Sequence, residues 1–168
     1  MSDFRNIETP SKALVWTVEE RSQVLYVKLV GDIDENADLK SLEEELEGVV
    51  SIDLGDVRRI NSAGVREWVN FIRKPPRVES AFLVHCSPTI VNQLNMIYNF
   101  KGMAAVKTFF APYVCTKCDE EVDVLLNVDT HFEQKDIKQI PEFTCSDCGE
   151  LLIFDDIPER YFAFILHQ

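Results

Sequence analysis

The chain has 168 residues, 46% of them apolar, and its 29 acidic and 17 basic side chains give a formal charge of -12 at pH 7. That balance fits a folded protein with a real core, and it disfavours broad contact with a nucleic-acid backbone or an anionic membrane, since both attract basic surfaces. No run approaches the roughly 18 apolar residues that cross a bilayer, and the opening Met-Ser-Asp-Phe-Arg lacks the basic patch and apolar run of a signal peptide, so a cytoplasmic protein is expected.

In residues 1–113, β-branched apolar runs alternate with segments of helical period, which predicts an α/β domain with helices packed on a mixed sheet. Strands are expected at 13–18, 24–30, 49–54, 81–86 and 104–109, the first two forming a hairpin through 19–23. Leu39, Leu42 and Leu46 recur on one side of a helix between the second and third strands. Val65, Trp68, Val69 and Ile72 repeat that spacing after the third strand, and Lys74-Pro75-Pro76 stops the helix. Ser87-Pro88 supplies an N-cap and a first-turn proline for a third helix that buries Ile90, Val91, Leu94 and Ile97. The order is ββαβαβαβ.

Residues 114–168 form a second, β-rich module. They carry 4 basic and 13 acidic side chains, net -9, against net -3 for residues 1–113. Short strands are expected at 121–127 and 143–154, a polar loop at 129–138, and a closing strand at 161–166. So small a module buries little by itself, so its stability is expected to depend on a metal clip or on docking against the first domain, and an apolar final strand, which would aggregate if left open, favours docking.

Four of the five cysteines lie here, as Cys115-Thr-Lys-Cys118 and Cys145-Ser-Asp-Cys148, separated by 26 residues. Each short loop lets two thiolates converge on one ion, and two such knuckles complete a tetrahedral S4 site with no position open to substrate. A structural zinc ribbon is expected, with a rubredoxin-type iron site as the alternative. The spacer is longer than the usual 15–20 or so residues, which requires an extra hairpin or loop. His131 lies in that spacer and reads as an exposed loop histidine. Cys86 ends an apolar strand and reads as a small buried thiol.

The segment Asp53-Leu54-Gly55-Asp56-Val57-Arg58-Arg59-Ile60-Asn61-Ser62-Ala63-Gly64-Val65 reads as a strand end near Leu54, a loop, and a helix that starts at Ser62. The serine hydroxyl stands where an N-cap belongs, worth about 1 kcal/mol. A helix N-terminus also stabilises a phosphate on such a serine, so a phosphorylation switch is the second reading. Arg58 and Arg59 bring two positive charges into the loop ahead of it, to neutralise a phosphate or receive an acidic partner, or simply to be solvated.

The element order, Leu29-Val30-Gly31-Asp32-Ile33-Asp34, Asp53-Leu54-Gly55-Asp56-Val57, Asn61-Ser62-Ala63-Gly64-Val65 and Ser87-Pro88 together resemble the STAS domain of bacterial anti-sigma factor antagonists, over roughly residues 10–112. The resemblance implies that Ser62 matches the serine phosphorylated by a partner anti-sigma factor kinase, and that Asp34 matches the acid beside it. It implies that the unphosphorylated form binds that partner. Asn61, Ala63, Val65 and Arg66 stand where the family has aspartate, a hydroxyl residue, leucine and glycine.

No nucleophile elbow, Walker loop or GxGxxG turn is present, no histidine is placed as a base for Ser62, and the run Glu43-Glu44-Glu45 reads as a solvated helix face, so no enzymatic activity is expected. The expected function is a regulatory protein-binding module whose surface includes Asp34, Arg58, Arg59, Asn61 and Ser62. A transcription-associated or nucleic-acid-binding zinc-ribbon regulator is the alternative. Its ribbon offers only Lys117, Lys135, Lys138 and Arg160 for phosphate contacts, so a protein partner is favoured.

Overall fold

A computed structural model describes residues 12–168. It is an α/β structure with a five-stranded mixed sheet, helices, and a separate three-stranded antiparallel sheet. The elements are β1 (Val15–Arg21), β2 (Val24–Ile33), α1 (Leu39–Glu45), β3 (Gly48–Ile60), α2 (Ser62–Arg73), β4 (Val78–Val84), α3 (Pro88–Met96), β5 (Ala105–Val106), β6 (Thr108–Cys115), β7 (Glu120–Asn127), α4 (Val128–His131), β8 (Ile153–Phe154) and α5 (Pro158–Tyr161), then a 3-10 turn over Ala163–His167.

The first sheet has the order β1-β2-β3-β4-β5. β1 and β2 pair antiparallel through a tight turn in which Ser22 and Gln23 both take positive φ, and β2 to β5 run parallel. Alternation sets which side is covered: Val27 and Leu29 of β2 are buried while Tyr26 and Lys28, which alternate with them, are exposed. α1 buries Leu39 and Leu42. α2 buries Trp68, whose Nε1 donates to the Phe100 carbonyl at 2.9 Å and whose ring stacks on Phe100 at 5.8 Å. The expected Ser87 cap of α3 is present, with the Ile90 N–H donating to its oxygen at 3.4 Å while its own hydroxyl donates to the Val57 carbonyl at 2.7 Å.

β3 is longer than its apolar run. Instead of ending near Leu54 it continues to Ile60, pairing with Ile33, because β2 also runs on through two register shifts. The second sheet, β7-β6-β8, starts at Thr108, so residues 108–113 lie in it. In β6, Phe109, Ala111, Tyr113 and Cys115 point inward in strict alternation. The polar segment after β7 makes one helical turn, α4, and buries Phe132 and Ile137.

The expected closing strand at 161–166 is not a strand. Pro158 opens the helical turn α5, and the 3-10 turn follows it. A short apolar run without alternation is compatible with either buried strand or buried helix, and here the first-turn proline and two hydrogen bonds from Asn95 of α3 select the helical form. Phe162 stacks on Phe154 at 4.8 Å and Phe164 meets Phe109 edge-on at 5.1 Å, which joins the second sheet to the main core in one continuous cluster. The expected docking is therefore present.

Candidate functional site

Two places bring chemistry-bearing residues together. The first is built by β6, the turn after it, and the loop ahead of β8. Cys115 closes β6, and the Asp119 N–H returns to the Cys115 carbonyl at 2.8 Å, with Asp119 at a φ of 55°. The second turn repeats that form: Gly149 N–H donates to the Cys145 carbonyl at 2.9 Å with Gly149 at 71°. The left-handed residue after each pair folds the chain back so that both thiols face one point.

The four sulfur atoms of Cys115, Cys118, Cys145 and Cys148 all lie within 4.8 Å of one another. The Cys115–Cys148 pair is 3.5 Å apart and the Cys118–Cys145 pair 3.9 Å. These four cysteines can hold a metal ion, all donors are sulfur, and Cys115 and Cys145 are buried. The Cys118 N–H donates to the Cys115 sulfur at 3.4 Å and is the main reason the Cys115 thiol is drawn down to about 7. Hydrogen bonds with Cys148 and Cys115 push the Cys118 thiol up. His131 is exposed, receives the Asn127 N–H on Nδ1 at 2.9 Å, and is not part of the cluster. Cys86 is fully buried, and desolvation raises its thiol pKa strongly.

The second place is the start of α2. The cap is Asn61, not Ser62: in extended conformation its Oδ1 accepts the Gly64 N–H at 2.8 Å, and its Nδ2 donates to Glu35 at 2.7 Å. Asparagine caps as well as serine, and the chain turns helical one residue earlier than a serine cap would require. Ser62 is thus the first helical residue, exposed, with no side-chain hydrogen bond among the described residues.

Gly64 explains why this helix start sits where it does. A Cβ there would lie 1.9 Å from the Ile33 carbonyl oxygen and 2.9 Å from the Asp34 nitrogen, so only glycine lets α2 press against the end of β2. That contact brings Asp34, Asn61 and Ser62 onto one surface. The Asp34 Oδ1 accepts the Asn36 N–H at 2.8 Å. Arg59 pairs with Asp32: its Nε and Nη2 both donate to Asp32 Oδ2, at 3.1 and 2.8 Å, and Asp32 is only 5% exposed. Arg58 is exposed and makes no ion pair among the described residues, while its carbonyl accepts the Thr89 hydroxyl at 2.9 Å.

Sequence reasoning missed Glu35, whose bond to Asn61 is visible only once the β2–α1 loop and the α2 start are adjacent. No protein-family model matches the chain, and no curated protein matches it. No helix among the described residues is long and apolar enough to cross a membrane.

Proposed function

We propose that the chain is a non-enzymatic regulatory protein-binding module of STAS type that works as an anti-sigma factor antagonist does, switched by phosphorylation of Ser62. The observation that carries this reading is the division of labour at the α2 start. Asn61 takes the capping role, which leaves the Ser62 hydroxyl exposed and free of structural duty at the first residue of a 12-residue helix. Unpaired N–H groups and the positive helix end stabilise a phosphate there, while two added charges change what the surface receives. Asp34, Asn61, Ser62 and the exposed Arg58 form the partner-facing surface, and Arg59 braces it through Asp32. The partner is an anti-sigma factor kinase or another signalling protein.

The metal is zinc, in a structural role. A tetrahedron with Zn–S bonds of about 2.3 Å has S···S edges of about 3.8 Å, and the two sulfur pairs at 3.5 and 3.9 Å fit it. Four thiolates fill the coordination sphere and leave no position for a substrate. An acidic surface around this site favours a protein partner over nucleic acid.

The test is a pull-down from native extract with intact-mass analysis, followed by binding of the captured partner to two variants. Ser62→Ala is expected to keep affinity and Ser62→Asp to weaken it by tenfold or so, the effect of a misplaced charge in an interface. Equal affinities would reject the switch.

A further inference from the structure

In the second sheet, β7-β6-β8, the strand β7 lies at the edge. It pairs with β6 over all eight of its residues without a bulge, and it holds no proline or lysine, the usual means of closing an exposed edge. Which of its backbone groups point outward follows from β6. The Asp155 N–H donates to the Pro112 carbonyl and the Phe110 N–H to the Cys86 carbonyl, both at 2.9 Å, so Pro112 and Phe110 face away from β7. Phe109, Ala111, Tyr113 and Cys115, which alternate with them, face it. Their partners Leu126, Val124, Val122 and Glu120 turn inward, and Glu121, Asp123 and Leu125 turn their N–H and C=O groups out.

No backbone hydrogen bond among the described residues takes up the outward groups of Glu121, Asp123 and Leu125. At the next outward position the edge is closed, since the Asn127 N–H donates to His131 Nδ1 at 2.9 Å. The open stretch therefore presents three side chains on one face of the sheet, two carboxylates and Leu125, which is 41% exposed. A hollow of about 200 Å³ adjoins them, lined by Pro112, Tyr113, Glu121, Val122, Asp123 and Asp155. None of its three carboxylates joins an ion pair among the described residues, and β7 has no cation of its own.

A row of unpaired N–H and C=O groups at every second residue matches an extended chain, which carries the complementary row at the same spacing. Charge selects which chain. A second copy would bring its own Glu121 and Asp123 to this edge, and a nucleic acid would bring phosphates, so both are repelled. A metal ion finds no seat, because the four cysteines are the one group of three or more ligands brought together among the described residues. We propose that the outer edge of β7 receives an extended segment of a protein partner with Lys or Arg at alternate positions, as a fourth strand of the second sheet. Its backbone pairs with Glu121, Asp123 and Leu125, and its basic side chains lie over the two carboxylates and the hollow. The edge belongs to the second sheet and Ser62 to a helix on the first, so the two proposals stand or fall separately.

The test uses the metal-loaded full chain and an end-blocked peptide, Thr-Lys-Val-Lys-Val-Lys-Thr, followed by two-dimensional NMR. A peptide of the same composition with its lysines adjacent, Lys-Lys-Lys-Val-Val-Thr-Thr, is the control for charge alone. The alternating peptide is expected to saturate below about 1 mM, and to slow hydrogen exchange at the amides of Glu121, Asp123 and Leu125, with Val122 and Val124 protected throughout. Glu121→Gln combined with Asp123→Asn should weaken binding about tenfold, the effect of two exposed ion pairs. Leu125→Pro removes one outward N–H without touching charge and should weaken it by a similar factor. Unchanged melting temperatures would show that both variants fold, and if the proline variant does not, the exchange pattern and the neutralised variant decide. Absence of saturable binding, equal binding of the control peptide, or undiminished affinity in the folded variants would each overturn the proposal. So would a dimer of the chain that Leu125→Pro dissolves, which would give the edge to a second copy.

Discussion

Asn95 clasps Tyr161: its side-chain Nδ2 donates to the Tyr161 carbonyl at 2.8 Å, across 66 residues of chain. The same amide accepts the Phe164 N–H on Oδ1 at 2.8 Å, so one residue of α3 holds both final helical turns. Asn95→Ala leaves a carbonyl and an N–H without partners and is expected to cost about 2–3 kcal/mol. Asn95→Asp keeps the acceptor, loses the donor and should fall between. Urea unfolding at neutral pH reads both, and a cost below about 0.5 kcal/mol for the alanine variant would show that the clasp carries nothing.

At the start of α2, capping and signalling are separable. Asn61→Ala removes the bond to the Gly64 N–H and is expected to lower stability by about 1 kcal/mol, whereas Ser62→Ala should stay within about 0.5 kcal/mol of the parent. Thermal unfolding of the two variants checks this, and the reverse order would return the cap to the serine.

Removing the metal should loosen more than the cysteine turns. Cys115 ends the strand that carries Phe109 into the aromatic cluster, so chelation is expected to lower the melting temperature by on the order of 10 °C and to weaken the near-UV circular dichroism of that cluster. Cys145→Ser should do the same without a chelator. Metal analysis of the untreated protein is expected to show one zinc per chain.

Alkaline pH should destabilise the fold through buried acids. Desolvation raises Tyr113 from 10.0 to about 12 and raises Cys86 above its ordinary 9.0. The unfolded chain therefore loses these protons first. The stability they contribute is whole below about pH 9 and is lost as pH climbs toward the folded values. Urea midpoints should fall between pH 9 and 12, and Tyr113→Phe, which also gives up a 2.8 Å bond to the Pro141 carbonyl, should make that fall shallower.

Much of the first sheet is legible because burial there follows simple periods. The alternation of Val27 and Leu29 with Tyr26 and Lys28 is a strand, and Leu39, Leu42 and Leu46 form a helix stripe, whatever packs on them. The cysteine turns are equally local, since a two-residue gap between thiols has few geometries. What could not be read depends on distant partners. Pro112 lies inside β6 opposite Asp123, and the Asp155 N–H binds its carbonyl at 2.9 Å. Residues 161–166 have the composition of a strand, and only Asn95, far back in the chain, shows why they turn. Asn61 and Ser62 are both good caps by type, and the choice between them depends on how closely Gly64 approaches Ile33. The Asp53–His85 pair joins residues 32 apart, and no spacing rule announces it.

The order of the first sheet, β1-β2-β3-β4-β5, is the order of the chain itself. As the polypeptide leaves the ribosome each new strand meets its neighbour already in place, so this half can assemble progressively with mostly short loop closures. The other sheet cannot: β6 waits for β8, and Cys115 for Cys148. Synthesis thus leaves an interval in which the early strands are paired while two cysteines await their counterparts, and the meeting of the two cysteine pairs marks the end of that interval.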